Sequence, residues 1–126
     1  MIIIGHPWIK SQRFCKVFSI EDITKSKVDE VMLLEPLVDS HKYAKHCKEH
    51  TISFAIVVNT LEDALFANAL GANYIVCEED DALMIQPIAQ EYLFDTRIVV
   101  LVHSNKDISK LARAKIDGVI FPEAIY

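Results

Sequence analysis

The residues best suited to chemistry in this chain stand where apolar runs end. Those runs finish at His6, Ser19, Glu35, Asn59, Glu78, His103 and Glu123. In open parallel sheets ligands bind outside the carboxyl ends of the strands, so this polar set is the place to look for a site. Glu35 and Glu78, if adjacent, could pair as acid and base, or hold a divalent cation through oxygen ligands. The candidate ligand-binding set is Glu35, Asn59, Glu78, His103 and Ser104. The competing reading is structural: strands must become polar where they leave a core, and helix caps require Ser, Thr and Asp.

Other groupings are weaker. Glu78, Glu79, Asp80 and Asp81 form the densest acidic cluster. They could hold magnesium, but such a run more often reads as a solvated loop with a helix N-cap. His46 and His50 are four apart on one helix face near His41 and Cys47, a spacing that could grip zinc. No second ligand pair follows at a recognisable spacing and HEXXH is absent, so they read as solvated helix histidines. Cys15 and Cys77 lie in apolar runs and Cys47 on an apolar helix face, which predicts reduced, buried thiols. Gly-rich phosphate loops and the GxSxG elbow are absent. Helix N-termini could receive a phosphate through backbone N–H groups, a generic property. No metal and no cofactor is expected.

The elements that must position these residues follow from a repeat. Three times an apolar run ends in Ser or Thr with an Asp three residues later, then a helix-like stretch, then another apolar run. The segments are FSIEDITKSKVDEVMLLEP, VNTLEDALFANALGANYIVCEE and VHSNKDISKLARAKIDGVIFPE. Ser19, Thr60 and Ser104 are predicted helix caps, with Asp22, Asp63 and Asp107 near the positive ends of the dipoles. Strand–helix–strand repetition predicts a parallel α/β sheet.

Strands are predicted at the start of MIIIGHPWI, ended by Gly5 and Pro7, and at Phe14 to Phe18, Val31 to Glu35, Ser53 to Val58, Tyr74 to Cys77, Arg97 to Val102 and Val119 to Phe121. Helices are predicted over roughly Glu21 to Lys27, Ser40 to His50, Leu61 to Leu70 and Asn105 to Lys115. In the second of these, Ser40, Tyr43, Ala44 and Cys47 should face the sheet. Pro87 obscures EEDDALMIQPIAQEYLFD: either Gln86 caps a helix that Pro87 opens, or an irregular turn precedes it. Ile85, Ile88, Ala89 and Tyr92 would point inward. The Leu61 to Leu70 helix is apolar nearly all round, so either Phe66 and Leu70 contact a protein partner or a second copy, or a loop packs over them.

Composition bounds the rest. A chain of 126 residues, 52% apolar, is one domain able to bury a core without disulfides or metal. A net charge of −5 with no Lys/Arg stripe argues against a nucleic-acid partner. No apolar stretch is long enough for a membrane span and no signal peptide is visible, so a cytoplasmic location is expected.

From Val28 to Pro122 the order of elements resembles a response-regulator receiver domain. VMLLEPLVDS resembles the first receiver strand and turn, and FAIVVNTLEDALFANALGANYIVCE the second strand, second helix and third strand. RIVVLVHSNKDISKLARAKIDGVIFP resembles the segment ending in the family's Lys-Pro. Its chemistry is altered: the acidic pair falls at Leu34 and Glu35, the phosphoacceptor at Glu78, the lysine at Phe121, and the switch Ser/Thr near Val102 to Ser104. The resemblance thus implies a non-phosphorylated interaction domain. ALGANYIVCEE and KIDGVIFPE also look like pieces of phosphate-binding TIM barrels.

These readings predict one α/β domain over residues 1–126, with 1–27 as added strands and a short helix and 28–126 as a receiver-like core. The expected architecture is three layers, α/β/α, around a mostly parallel sheet of five to six strands, flavodoxin-like or half-barrel-like. The expected function is a non-catalytic, cytoplasmic interaction or signalling module. The alternative is a small enzyme or phosphate-ligand binder acting at the strand ends.

Overall fold

The computed structural model describes residues 1–126. It places strands β1 (Ile2–Ile4), β2 (Phe14–Lys16), β3 (Val31–Leu34), β4 (Phe54–Val57), β5 (Tyr74–Cys77), β6 (Arg97–Leu101) and β7 (Gly118–Ile120) in one sheet. Between them run α1 (Ile20–Thr24), α2 (Leu37–Glu49), α3 (Leu61–Ala69), α4 (Glu79–Glu91) and α5 (Lys106–Arg113), and a 3-10 turn follows β7 at Pro122–Ala124. All strand pairs are parallel, in the order β1-β7-β6-β5-β4-β3-β2. No helix is long and apolar enough to cross a membrane.

The strands are apolar on both faces, and the two faces are covered differently. One face packs against every helix: Met32, Ile56, Ile75 and Ile98 share a cluster with Ile23 of α1, Ala44 of α2, Ala64 of α3, Ile85 of α4 and Leu111 of α5. The other face carries Ile4, Phe14, Val31, Leu33, Ala55, Val76, Val99 and Ile120, and no α-helical residue joins that cluster. Phe14, Val31, Ala55 and Val99 are nevertheless fully buried. A face without helices is sequestered only if the sheet curls over it. Phe14 of β2 reaches Tyr74 of β5 inside the curl, with ring centroids 5.3 Å apart.

The C-terminal segment bridges toward the β2 edge of the sheet. After the 3-10 turn the chain runs parallel to β2, bridging Ile125 to Phe14. The Tyr126 amide donates to the Phe14 carbonyl, and the Lys16 amide donates to the Tyr126 carbonyl. The Arg13 guanidinium sits 3.6 Å from the Tyr126 ring centroid, holding that segment in place. At the end of β1, Gly5 has φ +86° and lies so close to Ala124 that a Cβ would come within 2.9 Å of the Ala124 methyl.

The α/β class and the parallel βαβ units are as expected, but the arrangement is corrected in three respects. The sheet has seven strands, not five or six. All helices lie on one face, so there are two layers and a closed interior, not three layers. A flavodoxin-like sheet reverses its strand order at a switch point; here the order runs from β7 to β2 without reversal.

Local departures have local causes. Ser19 and Thr60 cap their helices, accepting the amides of Asp22 and Asp63 at 3.1 Å. Ser104 does not: Asn105 stands at the α5 cap, and the Ser104 hydroxyl accepts the Lys106 amide. The α2 helix begins at Leu37, directly after Pro36, rather than at Ser40, while Ser40, Ala44 and Cys47 are buried as predicted. Pro87 neither opens a helix nor follows a turn; it lies inside α4. It is exposed, so the carbonyl it deprives of a donor, on exposed Leu83, lies on the solvent side. Buried Gln86 accepts the Asp117 amide, whereas Tyr92, predicted inward, is 71% exposed. Leu70 packs against the core, leaving Phe66 exposed.

Candidate functional site

Along a strand successive side chains point to opposite faces, so the inward positions of each strand continue, two residues on, to its end. Phe14 leads to Lys16, Val57 to Asn59, Val76 to Glu78 and Leu101 to His103. These four polar residues ring the mouth of the curl at the carboxyl ends of β2, β4, β5 and β6. Asp81, in the first turn of α4, joins them. They enclose a cavity of about 440 Å³ whose floor is formed by Leu33, Val57, Val76, Leu101 and Ile125.

The rim is charged asymmetrically. Lys16, registered beside Leu33, supplies the one cation from β2. Glu78 and Asp81 supply carboxylates from β5 and α4. Between β2 and β5 lie β3 and β4, so Lys16 stands across the mouth from both acids. The chain's one salt bridge, Lys110 to Glu79 at 2.9 Å, is outside this cavity. The Lys16 ammonium and the two carboxylates are therefore free to meet something else.

Three of the five predicted site residues, Asn59, Glu78 and His103, line this cavity. Glu35 and Ser104 do not. Glu35 is exposed at the β3 end, where its carbonyl accepts the Ser40 hydroxyl, and Ser104 is occupied with the α5 amide. His6 is not among the lining residues and stands edge-on to Trp8 and Phe121. Lys16 and Asp81 were missed. FCKVF reads as a strand to Phe18, which puts Lys16 in its middle; the strand ends at Lys16. Asp81 had a signal, its place one helical turn after Glu78.

The acidic run resolves into the start of a helix. Glu78 is the α4 cap and Glu79, Asp80 and Asp81 form its first turn, where negative charge is favoured. No group of three or more His, Cys, Asp or Glu side chains is placed to hold a metal ion. His46 and His50 stack at 4.1 Å, and the His50 ring bonds to the His46 carbonyl.

The thiols are held protonated. Cys77 borders the cavity, and burial, with the charges of Asp81 and Glu78, pushes it up to about 12. Burial pushes Cys47 up to about 11, and burial with the Glu30 hydrogen bond does the same for Cys15. A thiolate nucleophile at neutral pH is not available from such sites.

No protein-family model matches this chain, and comparison with curated proteins finds no match.

Proposed function

We propose that this protein binds a small organic ligand at the mouth of its curled sheet. The supporting observation is the cavity itself: about 440 Å³, apolar below and polar above, with converging groups from four strands and a helix. That size and lining are those of small-molecule sites. The rim side chains form no hydrogen-bonded nucleophile–base pair and the adjoining thiol is protonated, so the reading is recognition rather than covalent catalysis. The single-direction strand order and one-sided helices favour the likeness to phosphate-binding barrels over the receiver likeness.

The test fills the cavity. Leu101 is a half-buried part of the cavity floor, and a tryptophan there takes up the space a ligand would need. In a thermal-shift panel of small metabolite-like compounds, at least one should raise the melting temperature of the wild type. A ligand at a hundred times its Kd stabilises by about 2.7 kcal/mol. Leu101→Trp should keep the circular dichroism spectrum and lose that shift. A shift that survives in Leu101→Trp, or no shift from any compound in the wild type, defeats the reading.

A second reading, self-association, has its own support. Leu65 (41% exposed) and Phe66 (62%) on α3 and Leu83 (46%) and Met84 (47%) on α4 are exposed, and the two helices pack together. Outer helix faces are ordinarily polar, and contiguous exposed apolar side chains mark contact surfaces. Sedimentation equilibrium should show a dimer that Phe66→Ser converts to monomer. A wild-type chain that stays monomeric at high concentration disposes of it.

A further inference from the structure

Resting on the ligand-pocket reading above, we infer that the ligand is a zwitterion of the amino-acid type, an α-amino acid with an apolar side chain. Three observations converge on it. Lys16 and the pair Glu78 and Asp81 stand on opposite sides of the same mouth. β2 and β5 are three strand spacings apart, roughly 14 Å along the sheet and less across the curl. Side chains of that reach leave room for one small molecule between opposite charges, and they form no ion pair with each other. Beneath them the floor is entirely aliphatic.

A bound amino acid satisfies all three. Its carboxylate accepts from the Lys16 ammonium, its own ammonium donates to the carboxylates of Glu78 and Asp81, and its side chain lies on Leu33, Val57 and Val76. A simple acid leaves Glu78 and Asp81 without a partner and places like charge at the same mouth. A simple amine does the same to Lys16. Desolvating an unmatched charge is what separates such analogues. The cavity is at the small end of the range for ligand sites, which suits a single amino acid and not a nucleotide.

The experiment is a methyl-detected NMR titration following Leu33, Val57 and Val76. The probes are L-leucine, L-methionine and L-phenylalanine, with three analogues of leucine: 3-methylbutylamine, 4-methylpentanoate and 3-methylbutanol. At least one amino acid should move these methyls and bind at least about tenfold more tightly than any of the three analogues. Lys16→Met should weaken the amino acid and the acid while leaving the amine unchanged. Asp81→Asn should weaken the amino acid and the amine while leaving the acid unchanged. That crossed pattern is not produced by a general loss of structure. An amine, acid or alcohol that binds as tightly as every amino acid overturns the inference and leaves the pocket reading intact. Failure of all six probes to move the methyls overturns the inference and counts against the pocket as well.

Discussion

Phe14→Ala is expected to lower the free energy of unfolding by about 3–5 kcal/mol, the range for emptying a large aromatic site in a packed core. Phe14 is fully buried, yet it lies on the sheet face that no helix covers. It pairs in register with Val31 on one side and bridges to Ile125 on the other. Its ring meets Tyr74 across the curl. A cavity opened there is walled by hydrogen-bonded strands, which have little freedom to collapse into it. Phe66→Ala, the same change at an exposed helix position, should cost far less. Denaturant unfolding of both variants compares them directly. Equal costs would mean that the inner face is not packed and the sheet is not closed.

Gly118→Ala should cost about 1–3 kcal/mol, with the damage concentrated in β1. Gly118 lies in β7 between β1 and β6. A Cβ there would stand 2.7 Å from the Ile2 carbonyl oxygen and 2.8 Å from the Ile2 Cβ. Neither the backbone oxygen nor the first side-chain carbon can swing away. The β1 strand has three residues and one ladder, so it is the element that gives way. Hydrogen exchange should then quicken at the amides of Ile2 and Phe121, which bond to Asp117 and Ile4 across that seam. Wild-type protection at those two amides in Gly118→Ala would contradict this account.

Much of the scaffold was legible in the chain, for physical reasons that also mark where legibility stopped. Ser19 and Thr60 announced helix starts because a side-chain oxygen satisfies an otherwise unpaired amide, whatever the tertiary context. Tyr74 to Cys77 was readable because Gly71 and Glu78 bracket a short apolar run. The number of layers was not readable. Val31 to Leu34 is buried on both faces, and the apolar run looks the same whether helices or other strands cover the second face. Closure depends on residues too few to show a period, such as Ile125 and Tyr126 against β2. Pro87 misled because its cost depends on facing solvent, which a sequence does not display. The rim was partly legible: strand-end polarity found Asn59, Glu78 and His103, while the inward phase that selects Lys16 required knowing that β2 stops there.

The seam between β1 and β7 sets how this protein reaches its native state. From β2 to β7 each strand is laid beside the one before it, so each step closes a short loop through one helix. Joining Ile2 to Gly118 instead brings together positions separated by nearly the whole chain. The bridge from Ile125 to Phe14 spans a similar distance, and loop closure of this length is an entropic cost that the neighbouring-strand pairings do not carry. Slow folding is expected to trace to these two long-range pairings, and a sheet that lacks them leaves its inner apolar face open to misassociation.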